Sequence, residues 1–240
     1  MATYVLVPGA WLGGWCWQRV TPLLRAAGHE VYTPTLTGLG ERVHLGSPET
    51  DLDTHIQDIV NVLVYEDLRD IVLLGHSYSG MVVTGVADRV PDRLSQLVYL
   101  DAIVPNDGQS FFDFGTAAGR AEIEQAARER GDGWRWPFAA DLDPTAGDIA
   151  PDDLRSFKDK ATGQPLKTLS QPVQLTNPAA QTVPRTYIWC SVGYDRLPEY
   201  LAWMQHTPGW RFIELKSGHW PMFSQPRALA QALLGLGDRG

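Results

Sequence analysis

The chain predicts an α/β fold, with a mostly parallel sheet covered by helices on both faces, and three observations carry that prediction. Short β-rich apolar runs alternate with stretches of helical apolar spacing. Most of the runs stop at Gly, Pro or small polar residues. The same alternation resumes near the C-terminus after a long irregular stretch, so both ends of the chain build one sheet.

The first strand is Thr3–Val7 (TYVLV), ended by Pro8-Gly9. Helical spacing over Trp17–Ala27 follows and stops at Gly28. Glu30–Pro34 is a second strand that leads into the glycine-bearing loop Thr37–Gly40. Across Asp53–Leu68, Ile56, Ile59, Val60, Leu63 and Val64 form one apolar stripe, with Asp51 or Asp53 as the N-cap. Asp70–Leu74 (DIVLL) is the third strand, Tyr78–Val90 a helix closed by Pro91, and Leu97–Leu100 (LVYL) the fourth strand. Beyond Val104 the pattern breaks: residues 105–184 hold eight prolines, one clear helix at Thr116–Arg130 and no strand alternation. Order returns with a strand at Thr186–Cys190, a helix at Glu199–Gln205, a strand at Arg211–Leu215 and a last helix at Pro226–Leu236. The division expected is a core domain of residues 1–104 and 185–240, with 105–184 inserted as a cap over the ligand-binding edge of the sheet.

Composition narrows the function classes. Of 240 residues, 44% are hydrophobic and 20% charged, which suits a chain burying a sizeable core and excludes intrinsic disorder. A net charge of −8 without any Lys/Arg cluster excludes a nucleic-acid partner. Cys16 and Cys190 cannot build a disulfide framework and lack metal-ligand spacing, so they read as reduced thiols of a cytoplasmic protein. The uncharged stretch Ala2–Gln18 contains Pro8, Gly9, Gly13 and Gly14, and no basic residue precedes it. It is expected to be neither a signal peptide nor a membrane span. Trp11, Trp15 and Trp17, then Trp134 and Trp136, crowd two short loop stretches and suggest pocket walls.

The chemistry is written around Ser77. Gly75-His76-Ser77-Tyr78-Ser79-Gly80 sets a serine between the DIVLL strand and a helix, with small neighbours. A serine at the apex of so tight a turn takes a strained backbone conformation that lifts its hydroxyl out at the sheet edge. The N–H groups that follow point, at the positive end of a helix, toward any oxygen bound there. Ser79 stands where this G-x-S-x-G pattern has glycine, with Gly80 one position later.

A neutral serine needs a base held by a carboxylate. His219, in Ser217-Gly218-His219-Trp220-Pro221 after the last strand, opens at the same sheet edge as Ser77. His76 is expected to point away from the Ser77 hydroxyl, while His29, His44, His55 and His206 fall on surfaces or helices without chemical work. Two carboxylates compete for the third place. Asp101 directly follows the LVYL strand, and Asp195 follows the TYIWC strand five residues beyond Cys190.

Together these pieces resemble the α/β-hydrolase superfamily over essentially the whole chain, nearest to small cofactor-free esterases akin to plant methyl-ester esterases and hydroxynitrile lyases. Val7-Pro8-Gly9-Ala10-Trp11-Leu12-Gly13-Gly14-Trp15 is similar to that group's oxyanion loop, with Pro8 in place of a common histidine. The resemblance implies that the backbone N–H groups of Ala10 and Tyr78 bind the substrate oxygen. It does not choose the acid, since the group's usual position matches Asp195, whereas dehalogenases and some lactonases carry theirs in a pattern similar to LVYLDAIVP. Hydroxynitrile lyases have a threonine in the oxyanion loop and a lysine after the catalytic histidine. Gly9 and Trp220 occupy those places here, which argues against cyanohydrin cleavage.

The function expected is a cofactor-free and metal-free serine hydrolase acting on a small-molecule carboxylic ester or lactone. Its pocket is apolar and aromatic, with contributions from Trp11, Phe111, Phe112, Trp134, Trp136 and Trp220, and Phe114 is a further wall. The competing readings are a carbon–carbon lyase or cofactor-free oxygenase on the same scaffold, or a ligand-sensing binding protein. A monomer or homodimer is expected, with no membrane partner.

Overall fold

Strands whose successive residues are all apolar need cover on both faces. The computed structural model, which describes residues 1–138, 149–193 and 199–236, supplies it. From the N-terminus come β1 (Thr3–Val7), α1 (Thr21–Ala26), β2 (Glu30–Tyr32), α2 (Leu52–Tyr65), β3 (Ile71–His76), α3 (Ser79–Arg89) and β4 (Leu94–Leu100). The stretch between residues 105 and 184 contributes α4 (Ala117–Arg130), β5 (Arg135–Trp136), α5 (Pro151–Lys160), β6 (Gln164–Pro165) and α6 (Lys167–Ser170). The chain then forms β7 (Arg185–Cys190), α7 (Glu199–Ala202), β8 (Trp210–Leu215), α8 (Pro221–Ser224) and α9 (Pro226–Leu234).

Six strands make one sheet in the order β2-β1-β3-β4-β7-β8, with every pairing parallel. Alternate residues divide between two cores. Val5, Val7, Leu73, Leu97, Tyr99 and Tyr187 pack with α2 and α3, whereas Tyr4, Leu6, Val72, Leu74, Val98 and Ile188 pack with α1, α8 and α9. The chain leaves β1 for β2 on one side and crosses back to β3 on the other. The loops after β1 and β3 therefore diverge and open a crevice at their C-terminal ends.

Several boundaries differ from the sequence expectation for local reasons. The helix expected over Trp17–Ala27 is a 3-10 turn at Gly14–Trp17 followed by α1, because Pro22 has no N–H to donate and fits only a first turn. Asp51 is the cap of α2, its carboxylate accepting the Thr54 N–H at 2.9 Å, while Asp53 pairs with Arg89 on α3. Between residues 105 and 184, α5 adds a second long helix that the apolar pattern does not show, since Phe157 is its sole fully buried side chain. Its signals are electrostatic: Pro151 opens it, Asp152 and Asp153 lie in the first turn, and Lys158 and Lys160 in the last. Among the described residues, no helix is long and apolar enough to cross a membrane.

Candidate active site

Six non-glycine residues among those described have positive φ, and three of them sit in the loops leaving β1, β3 and β4: Trp11 (65°), Ser77 (53°) and Asp101 (43°). Such conformations cost about 1–3 kcal/mol each and persist only where the surroundings enforce them. At Ser77 the enforcement is visible. Its N–H donates to the Leu100 carbonyl at 3.1 Å and its carbonyl accepts from the Ile103 N–H at 3.2 Å, so the bend is tied to the end of β4 and to the loop that follows it. The glycines around it are a packing requirement, since a Cβ on Gly75 would stand 2.5 Å from the Ser79 carbonyl oxygen and one on Gly80 only 1.8 Å from that of Ile103. Ser79 fills the expected glycine position because its hydroxyl is used: it donates to the Pro8 carbonyl and ties the helix start to the loop after β1.

The loop after β8 brings in His219. Its Nε2 lies 2.9 Å from Ser77 Oγ, and its Nδ1 lies 2.6 Å from Asp101 Oδ2. With Nδ1–H donating to the carboxylate, the Nε2 lone pair is left to accept the serine proton. Asp101 is held on three sides. Its N–H donates to the Ile188 carbonyl at 2.8 Å, its Oδ1 accepts the Cys190 N–H at 3.3 Å, and its Oδ2 receives the imidazole. The Asp101 side chain is 7% exposed and the His219 imidazole 33%, so the carboxylate is screened while the ring is open to a ligand. Of the two acids considered, Asp101 is joined to His219, and Asp195 lies outside the described residues.

Two further histidines are buried and take structural roles. His76 is buried on β3, and its Nε2–H donates to the His219 carbonyl at 2.8 Å, so it supports the backbone of the base. Burial, reinforced by the neighbouring His219, pushes its pKa well below the ordinary imidazole value. His55 lies on a helix as expected, but inside: it links Tyr78 Oη at 2.9 Å to the Thr37 carbonyl at 2.8 Å. Tyr78 thus turns its ring into the core and leaves only its backbone at the site.

The resemblance assigned the substrate oxygen to the backbone N–H groups of Ala10 and Tyr78, which are next to Gly9 and Ser77 in the chain. Tyr78 immediately precedes α3, and the loop carrying Ala10 touches the serine, since a Cβ on Gly9 would lie 3.1 Å from Ser77 Cβ. Among the described residues neither amide donates to a protein acceptor, whereas the neighbouring Trp11 N–H is taken by Gln164 Oε1 at 3.3 Å.

The aromatic residues separate into groups. Trp11 packs on Trp136 (4.2 Å between ring centroids) and on Phe138 (5.4 Å), a residue the sequence did not single out. Phe111 lies 6.2 Å from Tyr78 and 6.4 Å from Phe112, and Trp220 stands edge-on to His219 at 4.7 Å. Trp134 lies under the Arg135 guanidinium and beside Gly46. Phe114 joins Tyr99, Trp203 and Trp210 on the wall of a separate cavity of about 650 Å³. No group of three or more metal-ligating side chains occurs among the described residues.

A family model described as the alpha/beta hydrolase family matches residues 4–232. The chain belongs to that family. This hydrolase is 38% identical to the carbendazim hydrolyzing esterase of Nocardioides sp. (strain SG-4G), over 99% of its own length and 100% of the relative's. It is 27% identical to methylesterase 2 of Arabidopsis thaliana, covering 98% of this chain and 95% of that one. An extracellular alpha/beta-hydrolase from a Paenibacillus species, described as sharing structural and functional homology with tobacco salicylic acid binding protein 2, superposes with a TM-score of 0.86. That match is 26% identical and covers 99% of this chain and 100% of the other. Relatives of this kind place the hydrolase among the carboxylic ester hydrolases, the enzyme class expected from its sequence.

Proposed function

We propose that the enzyme hydrolyses esters through an acyl-enzyme on Ser77, with His219 as the base, Asp101 as its carboxylate partner, and the Ala10 and Tyr78 N–H groups as oxyanion donors. The observation that carries this reading is the unbroken chain from Ser77 Oγ through both ring nitrogens of His219 to Asp101. Ser77 Oγ forms a bond to the ester carbonyl carbon as its proton passes to His219 Nε2. Asp101 steadies the imidazolium, and the two amides take the charge on the carbonyl oxygen, each worth about 3–4 kcal/mol in comparable sites. The carbon–oxygen bond to the alcohol then breaks and His219 returns the proton to the leaving oxygen. Water enters, gives its proton to His219 and attacks the acyl carbon. Ser77 leaves with the proton restored, and the carboxylic acid departs.

The substrate class we assign is an ester or lactone with a bulky apolar or aromatic group. Trp11 and Trp136 would form one wall, Phe111 and Phe112 a second, and Trp220 would sit beside the base. The carbendazim hydrolyzing activity named for the 38% identical relative fits such a ligand. Residues 105–184 act as the cap over this pocket. Cys16 and Cys190, both buried and in no disulfide, fit a cytoplasmic setting.

Ser77→Ala is expected to abolish release of p-nitrophenol from p-nitrophenyl butyrate, and retained turnover would refute the assignment. A p-nitrophenyl series from acetate to phenylacetate and benzoate is expected to hold or gain kcat/KM as the acyl group becomes aromatic. A steady decline along that series would remove the pocket reading while leaving the acyl-enzyme in place.

A further inference from the structure

Trp11 occupies a position where glycine is the ordinary choice. The turn Gly9-Ala10-Trp11-Leu12 is closed by the Leu12 N–H to the Gly9 carbonyl at 3.3 Å. Its third residue has φ 65° while Ala10 is not in the positive region, the combination of a type II turn. Nothing inside that turn supports a bulky residue there. The support comes from residues more than a hundred positions away, all between β4 and β7. Gln164 Oε1 accepts the Trp11 N–H at 3.3 Å, the Thr162 N–H donates to the Trp11 carbonyl at 3.0 Å, and the indole Nε1–H donates to the Trp136 carbonyl at 3.2 Å. Gln164 is completely buried, and its amide cannot turn over freely. Its Nε2 donates to Thr168 Oγ1 at 2.7 Å, and that hydroxyl donates in turn to the Pro165 carbonyl at 2.6 Å.

We propose that Gln164 is a positioning residue for the oxyanion turn, acting through the Ala10–Trp11 peptide. This inference rests on the acyl-transfer reading above. Released from Gln164, the Trp11 backbone leaves its strained region and the peptides on either side rotate with it. Oxyanion donors must stand about 2.7–3.1 Å from the charged oxygen, and a displacement of about 1 Å from such a distant cause costs on the order of 100-fold. The insert therefore serves the chemical step as well as the pocket. Sequence reading had no means of finding this, since Gln164 is 153 residues from its partner in an unpatterned stretch.

The test compares Gln164→Met, which removes the acceptor at similar volume, with Gln164→Glu, which keeps an acceptor oxygen. Active sites are first titrated with diethyl p-nitrophenyl phosphate, so unfolded protein does not enter the comparison. Per titrated site, Gln164→Met is expected to lower kcat for p-nitrophenyl butyrate by about 10–100-fold with KM changed by less than about threefold. Affinity for an aryl trifluoromethyl ketone, which forms a tetrahedral adduct with the serine, is expected to fall in parallel. Gln164→Glu is expected to restore kcat to within about threefold of the parent, because its carboxyl oxygen still accepts the Trp11 N–H. Thr168→Val, which frees the amide to turn, gives a smaller loss of the same kind. Unchanged kcat and ketone affinity in Gln164→Met, or equal losses in the Met and Glu variants, would overturn the proposal. Turnover retained by Ser77→Ala would instead bring down the acyl-transfer reading itself.

Discussion

His76 and His219 have ring centroids 4.8 Å apart, yet the fold makes them opposites. His219 rides on the loop after β8, partly open, with one ring nitrogen on an acid and the other on a hydroxyl. His76 is the last residue of β3, fully enclosed. One ring nitrogen supports the His219 carbonyl, and Nδ1 has no partner among the described residues, facing the bare Cα of Gly9. Enclosure favours a neutral His76, so under the proposed mechanism it would add no cation beside a protonated His219. Chemistry is assigned by what surrounds an imidazole, and proximity to the serine is not enough.

Substitutions break this comparison in a definite order. His219→Ala removes the proton acceptor and is expected to cost about 10⁵–10⁶ in kcat, measured on p-nitrophenyl butyrate. Asp101→Asn leaves the base in place with the wrong hydrogen-bond partner and is expected to cost about 10⁴, whereas Asp195→Asn should stay within about threefold. The reverse ranking would transfer the acid to the loop after β7. His76→Phe keeps a ring but removes the donor to the His219 carbonyl, for an expected loss of about tenfold in kcat. A loss as large as that of His219→Ala would mean that His76 handles the proton directly.

Stability should carry a signature of the enclosed imidazoles. Burial holds His55 at about 4, against an ordinary value of 6.5, although its hydrogen bond to the Thr37 carbonyl pulls the other way. In the unfolded chain His55 and His76 take up protons below about 6.5, while in the fold His55 stays neutral until about 4. The unfolded state binds more protons in that window, so the His55 contribution is complete above pH 6.5 and is lost as pH falls toward 4, and buried His76 acts in the same direction. Urea titrations at about pH 7.5 and about pH 5 are expected to show lower stability at the acid value, and equal midpoints would contradict this. The smallest effect concerns the strained turn. Trp11→Gly and Trp11→Ala lose the same ring packing, but glycine takes the positive φ without penalty and should be more stable by about 1 kcal/mol.

What could be read from the sequence follows from how local each cause is. The elbow was legible because its strand, its bend and its small neighbours adjoin one another between Ile71 and Gly80. His219 was legible because a parallel sheet delivers every loop after a strand to one edge. That same property left the acid open, since the loops after β4 and β7 both reach that edge. The distinction lies in register: Asp101 meets the end of β7 through Ile188 and Cys190, and no single segment encodes that contact. Helix α5 escaped because its signals are charges at its ends instead of an apolar stripe. The support of Trp11 by Thr162 and Gln164 escaped because it joins two loops distant in the chain.

The central claim is that Ser77 Oγ is the nucleophile and His219 its base. Treating the enzyme with diethyl p-nitrophenyl phosphate and mapping the adduct by peptide mass spectrometry tests it most directly. A single phosphorylated site at Ser77, formed in step with loss of esterase activity and absent from His219→Ala, is the result expected. An adduct on another residue, or full ester turnover after Ser77 has been phosphorylated, would contradict the account.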